Sequence, residues 1–307
     1  MLRKKIKARK CVVVILMILS VPILHAQSAK PALSNKYVGI GYSSDLISGA
    51  DVRDIKAALK IWADELIKDF SLDYKAATFI FNSMESYTTA IKNGQVNLAS
   101  LPSLYYLQIR DKLHLQPALV GSENGKRQNK YVILASKKSA IKQLRDLKGK
   151  RLLTLSGAKG KISQMWLEIL LHKKGLGAKE SFFSNIKETK KGSQAILPVF
   201  FRQADCCVVT QNAFEAMAEL NPQIGEDLFA IATSPPYLCS IFCFSSSIDN
   251  KSKNAILKTA LNLSNSENGK QVLTLFRLND IVAYKPSFLT NIEALFREHQ
   301  KLAGVIK

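Results

Sequence analysis

Histidine is scarce in this 307-residue chain: there are four, and none adjoins Cys206, Cys207, Cys239 or Cys243. No Cys/His metal signature is therefore present. The chain also lacks a G-x-S-x-G elbow, a His-Glu metal motif and a paired Cys/His nucleophile. It offers neither an activated nucleophile nor a metal-held water, so no catalytic residue, metal site or cofactor is expected. Acidic residues are few, 24 against 44 Lys and Arg, which gives a formal charge of +20. There is no internal repeat and no low-complexity segment.

What is present begins with a basic head, Arg3, Lys4, Lys5, Lys7, Arg9 and Lys10, followed by an apolar run from Cys11 to Leu24 and then His25-Ala26-Gln27. The run is short for a bilayer span, so a secretory leader over residues 1–26, cleaved near Ala26, is preferred to an uncleaved anchor. No cysteine follows the run to carry a lipid. The mature chain is thus expected to be exported, periplasmic and monomeric.

Without the basic head the chain remains strongly basic. Such a balance suits nucleic acid, but an exported chain rarely meets it, and the lysines are scattered along many helices. The charge reads instead as solubility plus a field for anionic ligands or membrane headgroups, with no nucleic-acid partner. Export permits disulfides. However, Cys206, Cys207, Cys239 and Cys243 sit in the apolar segments DCCVVT and LCSIFCF, where buried thiols with at most one bridged pair are expected.

From Tyr37 onward strand-like and helix-like segments alternate. YVGIGY (37–42) reads as a strand ending in a Ser43-Ser44-Asp45 turn. Residues 51–69 read as a helix, with Ile55, Leu59, Trp62 and Leu66 on one face. A polar helix is expected to end at Gly149 and a short strand to lie near Phe182. The alternation predicts parallel sheets with helices on both faces. About 280 mature residues suit two α/β lobes. The apolar pairs LQPALVG/YVILAS and FAIATS/IFCFSS fit either two crossings between lobes or successive strands of one sheet.

The segment DLKGKRLLTLSGAKGKISQMWLEILLHKKG (146–175) places a Ser/Gly/Lys turn between a strand and a helix, a ready site for an anion. With SMESYTTAIKNGQVNLASLPSLYYL before it and PVFFRQADCCVVTQNAFE, IATSPPYLCSIFCF and NSENGKQVLTLFRLNDIVAYKPSFLTNIEAL after it, in that order along the chain, it resembles the phosphate/phosphite/phosphonate-binding family of periplasmic ABC-transporter substrate-binding proteins. The resemblance covers roughly residues 37–302. It implies a type II periplasmic-binding fold of two doubly wound lobes joined by two crossings. Residues 37–122 plus 243–302 would form lobe 1 and residues 130–236 lobe 2. It further implies a small anionic ligand and an ABC permease as partner. The alternative is a periplasmic sensor of the same fold that signals to a membrane histidine kinase or cyclase.

The chain departs from the family pattern in places. The usual S-T-S-G loop reads Ser156-Gly157-Ala158-Lys159-Gly160-Lys161, where glycine admits the backbone and Lys159 or Lys161 supplies charge. A ligand-facing histidine is replaced by the Gly192-Ser193-Gln194 turn. The lobe 1 Asp of G-x-V-D is Asn97, while its lobe 2 counterpart, Asp205, is kept.

In open α/β lobes, ligand groups gather at the carboxyl ends of strands. This makes Tyr42, Ser43, Ser86, Ser100, Ser156, Gly157, Lys159, Lys161, Ser193, Asp205 and Thr210 the candidate ligand-binding residues. Ser43 and Ser103 could equally cap turns or helices, Ser83 reads as a cap, and Tyr87 is a further option beside Ser86. Asp205 could bind a cationic ligand group or close a turn. Lys187, Lys190 and Lys191 read as a solvated helix start, Trp62 and Trp166 as packing residues, and His114, His172 and His299 lack ligand spacing.

Overall fold

The computed structural model describes residues 37–47, 52–67 and 75–304. The leader at 1–26, with its cleavage point near Ala26, lies outside the described residues. The first run of elements is β1 (Tyr37–Ser43), α1 (Val52–Ile67), β2 (Lys75–Phe81), α2 (Met84–Lys92), β3 (Leu98–Pro102), α3 (Ser103–Leu113) and β4 (Gln116–Ser122). Next come β5 (Tyr131–Ser136), β6 (Arg151–Leu155), α4 (Gly157–Lys173), α5 (Lys179–Phe182) and β7 (Asn185–Thr189). That run continues with α6 (Gly192–Phe200), β8 (Cys206–Thr210), α7 (Gln211–Leu220), α8 (Pro222–Asp227) and β9 (Leu228–Thr233). The last run is β10 (Ser240–Phe244), α9 (Asn250–Leu261), α10 (Glu267–Leu275), β11 (Asp280–Ala283) and α11 (Thr290–Leu302).

The strands form two sheets, ordered β11-β4-β10-β3-β1-β2 and β7-β6-β8-β5-β9. Both apolar pairs are crossings: β4 and β5 lie in different sheets, as do β9 and β10. Where the crossings pass each other, Asn129 and Tyr237 exchange both backbone hydrogen bonds, at 2.8 and 2.9 Å.

The sheets are mixed rather than parallel throughout. β1 runs parallel to β2 and β3, and β6 to β7 and β8. β10 is antiparallel to β3 and β4, and β5 to β8 and β9. These two are the strands by which the chain arrives from the other sheet. No crossover helix precedes them within their own sheet, so nothing imposes the parallel sense.

Local chemistry explains two further differences. The helix expected to end at Gly149 is a single 3-10 turn at Leu144–Leu147. There the Asp146 carboxylate accepts from the Lys142 and Gln143 amides at 2.9 and 3.0 Å, which closes a local turn in competition with a helix. The strand expected near Phe182 is the short α5; its Phe182 and the following Phe183 are buried and meet edge to face.

Periodicity carries the rest. Ile55, Leu59 and Trp62 bury one face of α1, and every residue of β5 and β8 is buried at the centre of the second sheet. The closing helix α11 packs against both α3 and α4. Its Glu293 pairs with Arg110 of α3, while Glu298 meets Lys173 at 2.8 Å and His299 meets Glu168 at 2.6 Å, both on α4. No described helix is long and apolar enough to cross a membrane.

Candidate functional site

The carboxyl ends of β1, β6, β7 and β8 converge on a cavity of about 230 Å³ between the two sheets. Of the candidate residues, Tyr42, Ser100, Ser156, Lys159 and Thr210 line it. Strand ends gather there because each βα unit turns at the same edge of its sheet.

The turn after β6 is the most constrained part. Ser156 is extended (φ −92°, ψ 174°), donates its amide to the Thr189 carbonyl at 2.9 Å, and makes no side-chain cap. Gly157 has φ +68°, a left-handed conformation that a side chain disfavours. A Cβ at Gly160 would stand 1.9 Å from the Leu155 carbonyl oxygen, so α4 starts pressed against the end of its own strand. The first-turn amides of α4 lack intrahelical acceptors, and the positive end of the helix dipole lies at the cavity. Lys159 adds a cation with no carboxylate partner among the described residues.

The other contributors are more buried. Ser100 pairs with Tyr42 on one side and Phe242 on the other and is 4 % exposed. Thr210 caps α7 by accepting from the Ala213 amide at 3.3 Å. Tyr42 turns its ring into the first lobe, stacked on Phe276 at 6.0 Å. Burial pushes its phenol well above the ordinary range, and its hydroxyl is buried with no hydrogen-bond partner.

The remaining candidates are placed differently. Lys161 is not turned to this cavity; it reaches across to Asp45, which follows β1, at 2.5 Å. With Ser43 it lines a second cavity of about 400 Å³. Ser43 caps the 3-10 turn at Ser44–Leu46, accepting from the Asp45 amide at 3.4 Å. Ser86 is exposed and bonded to Ser83 at 2.8 Å. Its neighbour Tyr87 is a core residue that donates to the Ser100 carbonyl at 3.1 Å. Gly192 reaches the cavity and Ser193 does not.

Asp205 lies at the opposite edge, because it precedes β8 whereas the cavity lies at that strand's far end. Its carboxylate takes Arg151 in a bidentate pair, at 3.0 and 3.1 Å, and accepts the Arg151 amide at 2.8 Å. Those hydrogen bonds hold its pKa below the usual carboxylate value. Asn97, which replaces the family's Asp, uses both ends of its amide. Its oxygen accepts from the Gly39 amide at 2.6 Å, and its nitrogen donates to Ser247 Oγ at 3.2 Å. The nitrogen also donates to the Gly94 carbonyl at 3.3 Å, a bond that a carboxylate could not make.

Several lining residues escaped sequence reasoning. Lys190 and Lys191, read as a solvated helix start, line the cavity; their position after β7 was the available signal, the same strand-end rule that found Ser156. Trp62 is the core packing residue that the sequence predicts, stacked on Phe242, and it borders the cavity together with Phe242, Phe276 and Arg277. None of the four described cysteines is bridged. Cys206, Cys207 and Cys243 are buried, but Cys239 is only partly so and borders both cavities, which corrects the expectation of uniform burial.

Residues 46–288 match the family described as "ABC transporter, phosphonate, periplasmic substrate-binding protein". PhnD1 from Prochlorococcus marinus, solved in complex with methylphosphonate, superposes with a TM-score of 0.62 at 16% identity, covering 87% of this chain and 99% of that one. A binding protein component of an ABC phosphonate transporter from Pseudomonas aeruginosa gives 0.62 at 14%, covering 87% of each chain. The periplasmic aliphatic sulphonate binding protein SsuA from Escherichia coli gives 0.53 at 15%, covering 89% of this chain and 94% of that one. At such identities these are likenesses of fold, that of type II periplasmic binding proteins. The family match spans most of the described chain and carries the assignment: this chain belongs to the phosphonate-type periplasmic substrate-binding proteins of ABC transporters, a family of binding proteins rather than enzymes.

Proposed function

We propose that this protein captures a small oxyanion, phosphate- or phosphonate-like, between its two lobes and delivers it to an ABC permease. One observation carries the reading: the uncapped start of α4, with Ser156, Gly157 and Lys159, opens onto a cavity whose opposite wall holds Tyr42 and Ser100. Backbone donors at a helix start, a flanking ammonium and nearby hydroxyls are the groups an oxyanion requires.

The closing bodies are taken as residues 37–122 with 243–302, and residues 130–236, hinged at the crossings beside Asn129 and Tyr237. Contacts from both bodies to one ligand favour the closed population, so capture needs no chemistry beyond closure. The Lys161–Asp45 pair spans the same gap and assists closure rather than gripping the ligand. The protein is exported as a monomer after cleavage near Ala26.

A thermal-shift screen against phosphate, phosphite, alkyl phosphonates and sulfonates tests the reading. A ligand present at about 100–1,000 times its dissociation constant adds roughly 3–4 kcal/mol of stability. Absence of any shift across the set would overturn the proposal.

A further inference from the structure

The second sheet has a far edge, opposite the one that meets the cavity. β6, β7 and β8 run parallel, and β5 ends where β8 begins, with Ala135 paired to Cys206. β9 in turn begins against the end of β5, with Leu228 paired to Ser136. Chain direction therefore brings four connecting segments to the far edge: residues 137–150, 174–184, 201–205 and 221–227.

Charge is unbalanced there. Asp227 pairs with Lys138 at 2.7 Å, Asp205 with Arg151 at 3.0 Å and Glu180 with Lys179 at 3.7 Å. Asp146 accepts from two backbone amides. Among the acidic side chains of these segments, that leaves Glu226. Against it stand Lys137, Lys142, Arg145, Lys148, Lys150 and Arg202, none within ion-pairing distance of a carboxylate among the described residues. All but Lys150 are exposed. The same edge carries the two most exposed large apolar side chains of the described residues, Phe201 at 62 % and Leu220 at 82 %. Phe201 follows α6 and Leu220 ends α7, two helices that run back from the cavity edge.

Cations on long stems beside protruding apolar groups suit a layer of anionic headgroups, which takes up the charge while its acyl boundary takes the apolar tips. A protein partner fits less well, because lysine is depleted from protein interfaces. We propose that this edge binds an anionic lipid surface, with Lys142, Arg145, Lys148 and Arg202 on the headgroup phosphates and Phe201 and Leu220 entering the headgroup layer. The proposal goes beyond the oxyanion reading and does not depend on it. The cavity lies at the opposite ends of the same strands, so this pose leaves it clear of the bilayer. It also holds the protein in the plane where an ABC permease sits.

Vesicle co-sedimentation of the protein purified after export and leader removal would compare phosphatidylcholine alone with an equal mixture of phosphatidylcholine and phosphatidylglycerol. Binding to the mixture is expected to be tighter by about tenfold or more and to weaken with added salt. Arg145→Glu with Lys148→Glu should lower it at least fivefold. Lys251→Glu with Lys258→Glu makes the same charge change at exposed positions of α9 and should leave it within twofold. Equal losses from both pairs would overturn the placement, since net charge alone would then explain the binding. Phe201→Ser with Leu220→Ser should abolish the part of the binding that survives high salt, and its survival would overturn the insertion. Melting curves confirm that each variant folds. Equal binding to both vesicles overturns the proposal, as does capture by polyglutamate without vesicle binding, which would assign the edge to an acidic protein.

Discussion

The two walls of the interlobe cavity are built by different means. The wall on the second lobe comes from turns at strand ends: Ser156–Lys159 after β6, Lys190–Gly192 after β7, and Thr210 closing β8. Each is a short contiguous segment whose polar groups are exposed by the geometry of the βα turn itself. The wall on the first lobe joins Trp62 of α1, Phe242 of β10 and Val272 and Phe276 at the end of α10. These segments are far apart in sequence and meet only because two helices pack on one face of the sheet. Polar recognition is thus encoded locally, whereas the apolar shape is encoded by packing. Substitutions on the first wall should affect ligand and fold together, and those on the second mostly the ligand.

The largest expected effect is on the polar wall. Ser156→Ala removes a hydroxyl from the α4 start and should cost about 1.5–3 kcal/mol of affinity for an oxyanion, with little change in melting temperature. Calorimetry and a melting curve on the same sample check both halves of that statement; unchanged affinity would mean the turn is structural. Gly157→Ala comes next. A side chain at φ +68° is strained by about 1–2 kcal/mol. The loss should appear in stability as well as affinity, which would blur the contrast between the walls if it exceeded the Ser156 effect.

A smaller effect belongs to the pair that spans the gap. Lys161→Ala and Asp45→Asn should each weaken ligand binding by about 0.2–1 kcal/mol. The double variant should be no weaker than either single one, because both remove the same interaction. Additive losses would return Lys161 to direct ligand contact.

The smallest effect is expected away from both walls. Asp205→Asn should leave affinity unchanged and lower the melting temperature slightly at neutral pH. The Arg151 hydrogen bonds depress the Asp205 pKa in the folded state. Its contribution is therefore present above the unfolded carboxylate value of about 3.9 and is lost as pH falls through the lower folded value. Wild-type and variant melting temperatures should converge in that acid range. A difference in ligand affinity at neutral pH would place Asp205 back at the site.

Much of this was legible in the sequence. The spacing of Ile55, Leu59 and Trp62 predicts the buried face of α1, a local periodicity that the structure keeps. The strand-end rule located Ser156, Lys159 and Thr210 at the cavity, because the edge of a βα unit at which chemistry collects is fixed by chain direction. The same rule, applied strictly, sets Asp205 apart, since it opens its strand. Lys161 could not be judged from its own segment: one helical step separates a residue facing the cavity from one facing Asp45, and Asp45 lies more than a hundred positions earlier. Antiparallel β5 and β10 escaped for a related reason, because strand direction depends on where the preceding chain has been.

The sequence alone determined the alternation of strand and helix, the places where the chain turns, and the polar groups offered at each turn, since these depend on neighbours within a few residues. Only the tertiary structure decided which turns face one another, that Lys161 is held by Asp45, and that Trp62, Phe242 and Phe276 border the same cavity. Those outcomes depend on contacts between distant segments, whose energies no local pattern contains.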